Sequence, residues 1–113
     1  MADRLHDVGA EATCWHDDGH PGPLRVDVDP APILLRVGRP LVDGPRVGVI
    51  GTRRCTSVGR EIAFELGAAL AAAGVTVVSG LALGIDGAAH RGALSENGPP
   101  PVAVVGSGPD VVY

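Results

Sequence analysis

The feature that most constrains this chain is a recurrence: a short β-branched run followed at once by a glycine-rich loop. It occurs at 47–50 before Gly51, at 75–79 before Gly80, and at 102–105 before Gly106. Runs of Val and Ile without polar alternation suit strands of a parallel sheet, which helices cover. Between the first two runs, a helix is predicted over 58–73. Its Ile62, Leu66, Ala69, Leu70 and Ala73 fall on one face, and Gly74 follows as a left-handed helix end. A second helix is predicted to begin near Asp86. Strand, helix and strand in that order make a βαβ unit whose two strands lie parallel and adjacent, with a right-handed crossover.

Backbone chemistry gives such a unit a default ligand. Each helix start presents unpaired amide hydrogens and the positive end of a dipole, and a glycine lets an oxyanion approach the main chain. Open α/β sheets also bind ligands outside the carboxyl ends of their strands. Bare donors from neighbouring loops are therefore expected to form one crevice for phosphate. Thr56 or Ser57 is expected to cap the first helix.

Charge supports the same region. The chain of 113 residues carries a net charge of −4, yet residues 46–91 hold five Arg against Glu61, Glu65 and Asp86, a net +2. The flanking stretches are acidic, with four Arg against eight acids before residue 46 and two acids after residue 91. A local basic patch matters more to a phosphate partner than the total does. Aromatic residues are only 3% of the chain, so nucleic-acid binding by base stacking lacks its platforms and contact with backbone phosphates is expected. Cys14 and Cys55 lie far apart, which fits a reducing cytoplasm. No apolar run is long enough to span a bilayer and no signal pattern opens the chain, so a cytoplasmic protein without a membrane partner is expected.

Residues 1–28 read as an irregular polar segment. Cys14, His16 and His20 could be written as a metal cluster, but a fourth ligand is missing, so no metal is expected. Trp15 is expected to pack on the domain. Residues 29–113 read as the folded domain. In it, Pro30 and Pro32 bound a strand at 33–37 that could add an edge to the sheet, and Asn97-Gly98 ends the second helix. A third strand runs over 102–105 into the turn at Gly106, Ser107 and Gly108. The expected fold is α/β: a Rossmann-like parallel sheet with helices on both faces, truncated after its third core strand.

Three stretches carry a resemblance. They are Gly51-Thr52-Arg53-Arg54-Cys55-Thr56-Ser57-Val58-Gly59-Arg60, then Val77 to Leu94 with its Ser79-Gly80-Leu81-Ala82-Leu83-Gly84-Ile85-Asp86-Gly87-Ala88-Ala89-His90 core, then Val102 to Tyr113. Over roughly residues 29–113 the chain resembles the DNA-processing protein A family (DprA, also called Smf), and the Ser-Gly-x-Ala-x-Gly-Ile-Asp-x-x-Ala-His run is the specific part of the match. The resemblance implies an extended Rossmann fold that binds single-stranded DNA and helps load the RecA recombinase in natural transformation, with a homodimer in the full-length family. It places phosphate contacts at Gly51, Thr52 and Arg53, where Thr stands for the family's Ser; beside them Thr56, read first as a helix cap, has a hydroxyl that can serve as a contact too. It places the pocket wall at Ser79, Gly80, Gly84 and Ile85, and the third side at Gly106 and Ser107.

Chemistry is less visible. Asp86 and His90 are four apart on one helix face and could form an acid–base pair; the favoured reading has Asp86 capping the helix and His90 bonded to a neighbouring loop. No nucleophile stands at a recognisable spacing from a base, and Cys55 reads as packing, so no catalytic residue, enzyme activity or cofactor is expected. Two alternatives stay open: a nucleoside-monophosphate hydrolase of the related LOG-like group, whose Pro-Gly-Gly-x-Gly-Thr-x-x-Glu loop is not found in these residues, and a sensor that binds a small nucleotide without chemistry.

Overall fold

A computed structural model describes residues 6–107, which fall into two compact units, one built from the residues up to Leu41 with Ser107, the other from Val42–Gly106. In the first unit, β1 (Ala10–Cys14) pairs antiparallel with β2 (Ile33–Val37), and α1 (Gly22–Arg25) is a single turn between them. Ala10 faces Val37, Ala12 faces Leu35 and Cys14 faces Ile33, so six apolar side chains share one side of the ribbon. On the other side, Arg36 pairs with Glu11. Three expectations are corrected. The strand at 33–37 is not an edge of the parallel sheet, because its register partners lie in 10–14. That partner strand falls inside the segment read as irregular; its Ala10, Glu11 and Ala12 gave little strand signal. Trp15 does not bury itself but meets the His16 ring at a 36° tilt, with centroids 3.9 Å apart, and stays 42% exposed.

The second unit carries the recurrent pattern. Its strands β3 (Arg46–Gly48), β4 (Thr76–Ser79) and β5 (Val102–Ala103) form a parallel sheet in the order β3-β4-β5, with α2 (Ser57–Ala72) after β3 and α3 (Ile85–Leu94) after β4. Ladder bonds continue past the strand ends, from the Val49 amide to Val78 and from the Val104 amide to Ser79, each at 2.8 Å. Val49 and Val77 project from the same face and pack with Ala71 of α2 and Ala89 and Ala93 of α3. Within this unit both helices therefore lie on one face; on the other, Gly48, Ile50, Val78 and Val104 border a cleft of about 290 Å³ that reaches Ser79, Gly80 and Asp86 at the carboxyl end of β4. Gly74, at φ 81°, ends α2 as expected. Helix α3 stops at Leu94, before Asn97-Gly98, where the Ser95 hydroxyl donates to the Gly92 carbonyl at 2.6 Å.

The buried stripe of α2 differs from the one its periodicity selects. Ala63, Gly67 and Ala71 are buried, whereas Ile62 is 59% and Leu66 46% exposed. The cause is the closeness of α3. A Cβ on Gly67 would overlap the Ala89 carbonyl, and one on Gly92 would overlap the Phe64 carbonyl, so the helices meet backbone to backbone through their small residues. The larger aliphatics are displaced to the flank.

That contact predicts a reversal of helix propensity. Gly→Ala inside a helix ordinarily gains about 0.5–1 kcal/mol. Gly67→Ala is expected to lose stability instead, by roughly 1–3 kcal/mol, because the two backbones must separate. Urea unfolding followed by circular dichroism measures the sign; a stabilised variant would contradict the packing.

Candidate nucleic-acid interface

The two glycine loops meet at the carboxyl end of the sheet, and a carboxylate joins them. Asp86, 4% exposed in the first turn of α3, accepts from the Gly51 amide through Oδ1 and from the Gly80 amide through Oδ2, both at 3.0 Å. Hydrogen bonds to a charged acceptor are worth roughly 1.5–3 kcal/mol each, and a buried carboxylate requires them. The expectation of bare donors at these two strand ends is thus corrected, since the protein supplies its own anion there. The expected helix cap is corrected with it: residue 84 is the N-cap of α3, and Asp86 caps nothing.

Side-chain packing closes the same junction. A Cβ on Gly51 would lie 2.6 Å from the Ile85 side chain, so only glycine lets Ile85 cover the first loop. Gly84, at φ 86°, would place a Cβ against the Thr52 and Arg53 carbonyls. The Ile85 amide, first donor of α3, bonds to the Thr52 carbonyl at 3.2 Å. Gly51, Gly80, Gly84 and Ile85 are accordingly brought together as a locked floor.

The remaining predicted residues sit around it. Thr52 and Arg53 are exposed at the tip of the first loop, where the Thr52 hydroxyl accepts from the Arg54 amide at 3.1 Å. Among the described residues, no carboxylate pairs with Arg53. Thr56 caps α2, accepting from the Gly59 amide at 3.0 Å. Ser79 is buried; its hydroxyl lies 3.4 Å from His90 Nδ1 and accepts from the Leu81 amide at 3.2 Å, holding Leu81 at φ 56°. His90 thus meets the last residue of β4, directly before the second loop, rather than the loop itself. Gly106 is exposed at the end of the second unit, and Ser107 falls with the first unit, outside the one that holds the other nine. Sequence reasoning passed over Asp86 as the tie between the loops. The available signal was its placement: an acid in the first turn of a helix, directly after a loop expected to hold phosphate.

Burial also acts on His90, holding its imidazole below the ordinary value of about 6.5. A neutral ring leaves Nδ1 free to accept from the Ser79 hydroxyl, which in turn orients the second loop.

Comparison with known proteins follows the fold. The profile of the family described as DNA recombination-mediator protein A matches residues 11–113. Over 84 residues, 72% of this chain, the sequence is 52% identical to a DNA processing protein DprA from Mycobacterium tuberculosis, of which it spans 21%. The X-ray structure of DprA from Streptococcus pneumoniae superposes with a TM-score of 0.80 at 31% identity, over 100% of this chain and 40% of that one. DNA processing protein A from Helicobacter pylori, in a structure addressing its single-stranded DNA binding mode, gives 0.70 at 29% identity, over 91% of this chain and 46% of that one. The chain therefore spans less than half the length of these relatives. Among the described residues, no helix is long and apolar enough to cross a membrane.

A pH dependence follows from His90. Because its folded value is lowered, the unfolded chain binds the proton more readily; stability is full above about pH 6.5 and falls as pH drops below it. Denaturant midpoints are expected to decline between pH 7 and pH 5, and to decline less in His90→Gln. Equal declines would remove His90 from the account.

Proposed function

The chain belongs to the DNA recombination-mediator protein A family, and from that premise we propose that it binds single-stranded DNA through backbone phosphates at the carboxyl end of its parallel sheet. The observation that carries the reading is Arg53: an exposed guanidinium, unpaired with any described carboxylate, at the tip of a loop whose base is fixed by Asp86. A guanidinium that meets no carboxylate among the described residues is matched by a phosphate, whose oxygens accept from its forked N–H donors.

With the Gly51 and Gly80 amides engaged by Asp86, the phosphate contacts fall to side chains: the Arg53 guanidinium and the Thr52 and Thr56 hydroxyls, above a floor of Gly51, Gly84 and Ile85. Ser79 and Gly80 form the wall and Gly106 the third side. Arg54 and Arg60, exposed nearby, extend the basic surface. Scarce aromatics fit recognition of the backbone, independent of base identity. The finer role proposed is that of the family resemblance: DNA processing in natural transformation, with delivery of the strand to the RecA recombinase.

Fluorescence anisotropy with a labelled oligothymidylate tests the site. Wild-type affinity is expected to fall steeply with salt. Arg53→Ala is expected to weaken binding about tenfold, equally for mixed sequences, and to reduce the salt slope by about one. Affinity that ignores salt, or an Arg53→Ala variant that binds as wild type does, would overturn the proposal.

A further inference from the structure

We infer that Asp86 is a specificity-determining residue: its carboxylate occupies the anion position between the glycine loops, closing the crevice to a terminal phosphate and leaving only the rim for phosphodiesters. The part concerning phosphodiesters rests on the single-strand reading above; the part concerning terminal phosphate does not.

Of the main-chain donors that a βαβ crevice would offer a phosphate, those of both strand-end glycines and several of α3 are already used inside the protein. Gly51 and Gly80 donate to Asp86 at 3.0 Å. Ile85 donates to the Thr52 carbonyl, Gly87 to the Ala82 carbonyl at 2.9 Å, and Ala88 to Gly84 at 3.0 Å, so these amides of the first turn of α3 are engaged as well. Sterics agree with the bonding, since Ile85 covers Gly51 and Gly84 abuts the first loop.

Charge then separates two ligand classes. A phosphomonoester at neutral pH brings between one and two negative charges, and seating it on these amides would force it against a buried carboxylate of like sign. A phosphodiester carries one charge and needs no seat in the crevice, because Arg53 reaches it from the exposed tip of the loop. The geometry therefore points to a site that rejects mononucleotides and inorganic phosphate while keeping a polynucleotide backbone. An oxygen of Asp86 stands where an oxygen of the ligand would otherwise stand.

Amide resonances report the occupancy directly. In ¹⁵N-correlated spectra of the whole chain, inorganic phosphate and thymidine 5′-monophosphate are expected to leave the Gly51 and Gly80 amides of the wild type unmoved. In Asp86→Ala, phosphate is expected to shift both amides saturably, with affinity at least about tenfold above any wild-type binding. Should Asp86→Ala not fold, Asp86→Asn carries the comparison, since its side chain keeps one acceptor oxygen and loses the charge. Saturable phosphate shifts at Gly51 and Gly80 in the wild type would overturn the inference, and so would a folded variant that phosphate leaves unshifted. A labelled oligothymidylate is titrated in parallel. If it perturbs nothing in the wild type, the single-strand reading fails, while the phosphate result still decides the role of Asp86.

Discussion

The bond pair from Gly51 and Gly80 to one buried carboxylate is the constraint on which the rest of the second unit depends. Two loops that follow two different strands have no covalent reason to hold a fixed separation. Asp86 gives them one by accepting a single hydrogen from each, through a different oxygen. A carboxylate is suited to this: it has acceptor capacity on two atoms and, once buried, a strong requirement that both be satisfied. The loop carrying Arg53 is thereby set against the helix that begins at Ile85.

That arrangement requires α3 to approach both the sheet and α2 more closely than large side chains would permit. Gly67 and Gly92 let the helix backbones touch, and Ala63, Ala71, Ala89 and Ala93 complete the contact with side chains of one carbon. The helix is drawn near enough for Ile85 to sit on Gly51 and for Asp86 to reach two strand ends. Val58, Ile62 and Leu66, spaced by four along α2, are left as an exposed apolar stripe. The usual relation, in which the largest apolar residues mark the buried face, is inverted on this helix.

The sequence disclosed the architecture of the second unit well, because strand, loop and helix each left independent signals there. β-Branched runs marked β3 and β4, Thr56 marked the start of α2, and Gly74 marked its end. What stayed hidden was set by spatial neighbours. Periodicity cannot report that a partner helix will favour Gly67 over Leu66. It also cannot report that Ala10–Cys14, with small and polar residues, will find a register with Ile33–Val37 and so join a ribbon. The site shows the same division. Glycines at strand ends located the crevice, but the occupant of their amides depended on where the Asp86 side chain turned, which spacing along a helix leaves undetermined.

The residue that ties the loops and the cation at the tip of the first loop differ in both charge and exposure. Asp86 is buried, accepts one bond from each loop, and fixes their distance. Arg53 is exposed and, among the described residues, without a carboxylate partner. Were the roles exchanged, with a buried arginine bridging the loops, it could not accept from two amide hydrogens at all, since a guanidinium has donors only. A loop junction built from backbone donors requires an acceptor at its centre, and an anion at the centre pushes the recognition of an anionic ligand outward. Of the five Arg in residues 46–91, Arg53 and Arg54 lie in the loop at the sheet's carboxyl end, Arg46 opens β3 at the opposite end and Arg91 lies in the last turn of α3, while the Asp86 carboxylate is turned inward.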